Sequence, residues 1–386
     1  MRTLILLTLA LTLAAQPRPI DPPAAPGAGM PFLAHAPDNS LYMSWLEPAG
    51  PNRHALRLAR LTAGKWSSPE TIAEGENWFA NWADFASLTV QPDGALYAHW
   101  LTRHPAKGKY GYGIRIAHRP ANSSQWREIH GMSLDNPSDY AGFLTFLPGA
   151  ASAVYLAPPT GAAPDEHHDH EGHRKTLRFL QLPSKTDLEL DADVCSCCQT
   201  AIAQTPQATV IAYRDHLPGE IRDISFVRLA NGQWSKPATL HPDNWKINAC
   251  PTDGPSAAAH QASVAIAWTT RANNAPKVQL ALSPNHGQSF QSPLRVDSGN
   301  PLGRPTVHAL PDGRFAIAWL EKLSLEKVEI RLRVLSRAGA LSSPVTIAQA
   351  PAGRAAGFPK IAAIDKSNLL VAWREDSVRA VIVSIP

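Results

Sequence analysis

The 386-residue chain carries four cysteines, at Cys195, Cys197, Cys198 and Cys250. Their chemistry supports two states. Oxidised, they form disulfides; adjacent residues on an extended segment point to opposite sides, so one of Cys197 and Cys198 can reach Cys250. Reduced, they offer soft thiolates that suit Cu or Zn, although C-x-C-C replaces the usual pair of C-x-x-C arms. A second metal-binding chemistry lies upstream. His167, His168, His170 and His173 stand among Asp165, Glu166, Asp169 and Glu171 within a loop insertion at 157–175. Tracts of this composition bind Cu, Zn or Ni, and they also serve as plain solvated loops.

A third group pairs guanidinium and carboxylate chemistry at recurring positions. Asn81-Trp82-Ala83-Asp84-Phe85-Ala86 matches Asn136-Pro137-Ser138-Asp139-Tyr140-Ala141, and corresponding segments carry Asp253, Arg304 and Arg354. Other copies end apolar runs, as Tyr213-Arg214-Asp215 and Trp373-Arg374-Glu375. Planar guanidinium forks bind carboxylates through two parallel hydrogen bonds, so Arg214, Arg304, Arg354 and Arg374, with Asp215 and Asp253, are candidate ligand-binding residues. Asp84 and Asp139 are the carboxylates placed for acid/base catalysis. The same residues would also serve as Arg–Asp pairs pinning neighbouring segments across a solvated face. Two dipeptides, Arg214-Asp215 and Arg222-Asp223, predict an interlocked ion-pair network beside the cysteines.

What positions these groups is a repeat. Apolar runs end in an aromatic residue at Trp45, Trp100, Tyr155, Tyr213, Trp268, Trp319 and Trp373, 51 to 58 residues apart. Each run follows a shorter strand pattern and a turn of Pro-Asp-Gly type, which predicts a hairpin. A second pattern keeps step with it. Gly64-Lys65-Trp66-Ser67-Ser68-Pro69 matches Gly232-Gln233-Trp234-Ser235-Lys236-Pro237, each behind an alternating strand. Four strands per unit, seven units and few helical periods predict an all-β fold: a seven-bladed β-propeller of four-stranded antiparallel blades occupying 31–386. Its last unit is one strand short, and the Pro-rich segment 16–30 is the candidate ring-closing strand. In such a meander the inter-blade loops and the loops between second and third strands share one face, here called upper. The cysteines, the His tract and the Arg/Asp ring all belong to it.

Ser283-Pro284-Asn285-His286-Gly287-Gln288-Ser289-Phe290 resembles a degenerate Asp-box, the turn that joins third and fourth strands in sialidase-like propellers. Secreted bacterial propellers of that type are also similar in the C-x-C-C and Cys250-Pro251-Thr252-Asp253-Gly254-Pro255 segments. The resemblance implies three arginines holding a substrate carboxylate, a tyrosine nucleophile activated by a glutamate, and an aspartate acid/base. Arg304, in Gly303-Arg304-Pro305, most resembles one of those arginines. The family's enzymes have six blades, so a six-bladed sialidase fold is the alternative architecture. Tyr213 takes the slot that tryptophan fills in five other units, and reads as core.

Residues 1–15 join one arginine to an unbroken apolar run ending in small residues, which predicts a signal peptide and a secreted or periplasmic location. No later segment is long and apolar enough to span a membrane. A net charge of +4 without a Lys/Arg cluster argues against a nucleic-acid partner. Three functions remain open: recognition of a carbohydrate or other anionic small molecule, with or without glycoside hydrolysis; Cu/Zn binding by the cysteines and the His tract; or a non-catalytic scaffold for a protein partner.

Overall fold

A computed structural model of the chain describes residues 17–103, 111–130, 141–159 and 174–385. Thirty short strands assemble into seven separate antiparallel sheets, one per sequence repeat. First strands lie at Gly29–His35, Ser87–Val90, Gly142–Phe146, Ala201–Gln204, Ser256–His260, Pro301–Ala309 and Lys360–Ala363, in blades I to VII. Each packs against the first strand of the next blade, and blade VII meets blade I. The chain is therefore a seven-bladed β-propeller, and the six-bladed alternative does not apply.

The ring is closed by the N-terminus. Arg18–Pro19 forms the outermost strand of blade VII, pairing antiparallel with Val378–Ser384 in the register Arg18↔Ile382 and Pro19↔Val381. Proline, which lacks an N–H, is tolerated there because an outermost strand bonds on one side only. Beyond the ladder, Ile20 N–H donates to Ala380 O (2.9 Å), and the Trp66 indole of blade I donates to Ile20 O (2.8 Å).

The repeated aromatic residues form the core between blades. Trp45 packs with Ala362 and Leu370 of blade VII, Trp319 with Ala265 and Val278 of blade V, and Trp268 with Val210 and Ala212 of blade IV. All three are fully buried, which stabilises each interface by roughly 2–3 kcal/mol. Their indole N–H groups still require acceptors. Trp268 donates to Asp243 (2.7 Å), whereas for Trp45, Trp319 and also Trp373 the carboxylate two residues on accepts: Glu47 (2.9 Å), Glu321 (2.6 Å) and Glu375 (3.1 Å). These strand-end carboxylates of the predicted charged ring therefore satisfy core indoles.

The Asp-box-like turn sits on the lower face. Ser283 Oγ accepts the Gly287 N–H (2.9 Å), Asn285 Oδ1 accepts the Ser289 N–H (3.0 Å), and Phe290 meets Phe226 edge-on.

Candidate functional site

The upper ends of the first strands are held by buried acids. Asp84, in the loop before blade II, joins blades II and III: Oδ1 accepts the Phe143 N–H of blade III (2.8 Å) and Oδ2 accepts the hydroxyl of Tyr112 in blade II (2.8 Å). Asp253, before blade V, takes the same role toward blade VI, accepting the Arg304 N–H at 3.2 Å. Phe143 and Arg304 both have left-handed backbone, with φ of 55° and 57°. That conformation turns their N–H groups away from the ladder and toward the acid. The glycines before them are required by proximity, since a Cβ on Gly142 or Gly303 would strike the latching carboxylate. Burial raises both acids, Asp84 to about 7, against the lowering effect of these hydrogen bonds. The predicted acid/base residue Asp84 is thus an inter-blade latch, whereas its sequence counterpart Asp139 lies outside the described residues.

The Arg-Asp hairpin is built from main-chain contacts rather than interlocked ion pairs. Arg214 is buried and donates to the carbonyls of Asp253 (3.0 and 2.7 Å), Thr269 (2.8 Å) and Arg222 (2.5 Å), with its guanidinium 4.7 Å from the Trp245 ring. Asp215 accepts from Ser225 Oγ (2.6 Å) and the His216 N–H (2.7 Å), and burial raises it to about 6. Arg222 pairs with Glu220, and Asp223 accepts the amides of Asn244 and Trp245. The network clamps the loop before blade V onto blade IV. It engages four of the five Arg214 N–H donors.

Arg304 and Arg374 border the same aromatic cluster, with a lysine that the sequence did not single out. A small cavity between blades VII, I and II is lined by Trp82, Phe85, Phe358, Lys360 and Arg374. The Arg304 guanidinium lies 4.2 Å from the Trp82 ring centroid and donates to Gly357 O (2.8 Å). Lys360 Nζ sits 3.7 Å from the Phe85 ring centroid, and Trp82 and Phe358 stack at 5.9 Å. Arg374 Nε has no hydrogen-bond partner. No described carboxylate forms an ion pair with any of the three cations. Desolvation lowers Lys360 to about 7 and Arg304 to about 10. A signal existed: Trp82 and Phe85 flank Asp84, and Lys360 opens an otherwise apolar first strand. Arg354 lies apart, exposed on the short helix Gly353–Ala356.

The cysteines converge one blade past Asp84's latch. Cys197 and Cys250 form a disulfide between the loops before blades IV and V. This is the disulfide that the sequence offered as one of the two states of the cluster, with Cys197 as the partner of Cys250. Cys195 and Cys198 are buried free thiols, with Cys195 Sγ 3.3 Å from Cys198 Sγ and 3.8 Å from Cys197 Sγ. The Cys198 hydrogen bond, aided by the Cys197 amide and the charges of Arg214 and Arg222, pulls the Cys195 thiol down, while burial pushes Cys198 well up. Gln199 anchors the loop, donating to Ala83 O (2.6 Å) and accepting the Gly254 N–H (2.8 Å). His167, His168, His170 and His173 lie outside the described residues. Wider clefts on the lower face, beside Asp38 and beside His260, hold none of the predicted site residues.

The sequence matches no protein-family model and no curated protein. Solved structures do share the fold. A protein of unknown function from Dyadobacter fermentans is similar at a TM-score of 0.54 and 12% identity, covering 97% of this chain and 99% of that one. The β-propeller domain of the trilobed protease from Pyrococcus furiosus is similar at 0.50 and 8%, covering 93% and 95%. A Hadza microbial sialidase is similar at 0.47 and 11%, with 93% of this chain covering 66% of that one. At such identities the likeness is one of fold.

Proposed function

We propose that the protein is a secreted or periplasmic receptor for a small anionic ligand, such as an acidic sugar, bound at the upper end of the propeller axis. The supporting observation is the aromatic cavity in which Lys360, Arg374 and the adjoining Arg304 gather with no ion-paired carboxylate among the described residues, Asp253 acting on Arg304 only through space. Buried cations are costly unless paired, and a ligand carboxylate would supply the missing charge. The rings would stack on a sugar face while excluding water from the charge contacts. Recognition is favoured over hydrolysis because Asp84 is consumed by its latch.

Calorimetric titration with N-acetylneuraminate and galacturonate tests the reading. One saturable site per chain is expected for at least one of these acids, with none for the neutral sugar galactose. Arg304→Ala and Lys360→Met should each weaken binding by about 1.5–3 kcal/mol, roughly ten- to a hundredfold. Because Lys360 sits near 7, its cationic form dominates at pH 6 and is depleted by pH 8. Affinity should therefore fall as pH rises across that interval, and Lys360→Met should flatten the dependence. Equal affinity in the wild type and both variants would sink the proposal, as would indifference to the acid group.

A further inference from the structure

The sulfur cluster has features that the anion reading does not use. The sulfurs of Cys195, Cys197 and Cys198 all lie within 4.8 Å of one another, and Cys250 is bonded to the second of them. At a Zn–S length of about 2.3 Å, neighbouring sulfurs of a tetrahedral site stand roughly 3.8 Å apart. Of the two separations around Cys195, the one to Cys197, 3.8 Å, equals that spacing and the one to Cys198, 3.3 Å, is somewhat shorter. The surroundings also suit thiolates. The Cys197 N–H is directed at the Cys195 sulfur and the Asp253 N–H at the Cys198 sulfur. Hydrogen bonds of this kind hold and tune metal-bound sulfur. Buried Arg214, which forms no ion pair among the described residues, brings a positive charge to the cluster, and Arg222, itself paired with Glu220, lies nearby. Four thiolates around one Zn(II) carry a net charge of −2, part of which the Arg214 guanidinium offsets.

We infer that Cys195, Cys197, Cys198 and Cys250 form a redox-gated site for one thiophilic cation, Zn(II) or Cu(I), closed while Cys197 and Cys250 are joined and opened by a dithiol reductant. Cys250 is exposed, whereas the other three are buried, so the reductant meets the disulfide from the Cys250 side. One thiolate of the reductant attacks Cys250 Sγ. The Cys197–Cys250 bond breaks, and its electron pair leaves on Cys197. The second thiol of the reductant then attacks the reductant's own sulfur in the mixed disulfide. This step releases Cys250 as a thiolate and the reductant as a cyclic disulfide. Two electrons pass to the protein in total. The cation then binds the Cys197 and Cys250 thiolates, and Cys195 and Cys198 release their protons as they join.

The full mature chain, without an affinity tag, is compared in two states: as isolated with the disulfide intact, and after anaerobic treatment with dithiothreitol and its removal. Each is titrated with Zn(II), and separately with Cu(I), against a chromophoric chelator. The reduced protein should take up one ion per chain, and the disulfide form at least a hundredfold less tightly. Cys195→Ser and Cys198→Ser leave the Cys197–Cys250 bridge in place, so both variants should fold; after reduction each should bind at least tenfold more weakly. Deleting residues 165–173 should leave the stoichiometry unchanged. Equal uptake by the two redox states would overturn the inference. So would uptake that survives both serine variants and vanishes with the 165–173 deletion, because the metal would then belong to the His tract.

Discussion

At the residue scale, the acids of the upper face separate by what surrounds them. Glu47, Glu321 and Glu375 accept indole N–H groups, Asp84 and Asp253 latch neighbouring blades, and Asp223 caps the loop before blade V. Asp84 shows how the latch behaves with pH. Burial lifts its carboxyl from 3.8 to about 7, so between those values the folded state holds a proton that the unfolded state has released. Its contribution to stability is largest below pH 4, declines as pH rises, and is lost above about 7. Asp84→Asn keeps an acceptor for the Phe143 amide and does not titrate. The wild type should lose stability relative to this variant between pH 5 and pH 8, read from urea midpoints. A wild-type-minus-variant difference that stays constant with pH would refute the assignment. Asp84→Ala, which removes the acceptor of the Phe143 amide and of the Tyr112 hydroxyl bond, should cost about 2–5 kcal/mol at pH 5 and less at pH 8.

At the element scale, the outer strands of blades I and IV are split, into Lys65–Trp66 with Glu70–Glu76 and into Gln233–Trp234 with Ala238–Thr239. The repeated Trp-Ser-x-Pro explains the break. Proline cannot donate to the ladder, so the chain leaves it there. The serine hydroxyl takes over as acceptor, from the Arg60 N–H for Ser67 and the Arg228 N–H for Ser235, each at 3.0 Å. Ser342 does the same for Val334 in blade VI. Ser235→Ala should therefore cost about 0.5–1 kcal/mol and speed hydrogen exchange at the Arg228 amide while leaving mid-strand Val227 protected. Unchanged exchange at Arg228 would mean that water serves the amide equally well. The spacing of this motif was legible because it repeats. Its hydroxyl-for-carbonyl substitution was not, since nothing in one dimension shows which amide faces the serine.

For the whole molecule, stability depends on a very short closure. Two ladder residues, the Ile20 bond to Ala380, the Asp21 contacts to Arg379 and the Ala380 amide, and the Trp66 indole on Ile20 join the N-terminus to blades VII and I. A chain beginning at residue 22 loses these bonds. It should be about 3–4 kcal/mol less stable than one beginning at residue 16, with hydrogen exchange rising first between blades VII and I. Equal melting temperatures would show that inter-blade packing alone holds the ring.

The sequence by itself determined the repeat, the strand count per unit and the core role of the terminal aromatics. Each blade is a meander of neighbouring strands, and its alternation and turn chemistry are written within some 55 residues. It also placed the cysteines, Arg304 and Arg374 on one face, because strand direction alone decides which loops share an end. Only the tertiary structure decided what each of those residues does. Whether an arginine faces a cavity, as Arg374 does, or is held by carbonyls, as Arg214 is, depends on the blade next door. Lys360 becomes unusual only when Phe85, from a loop more than 270 positions away, covers it. The physical reason is desolvation: a charge takes its chemical character from the groups that displace its water, and in a closed ring those groups come from distant parts of the chain.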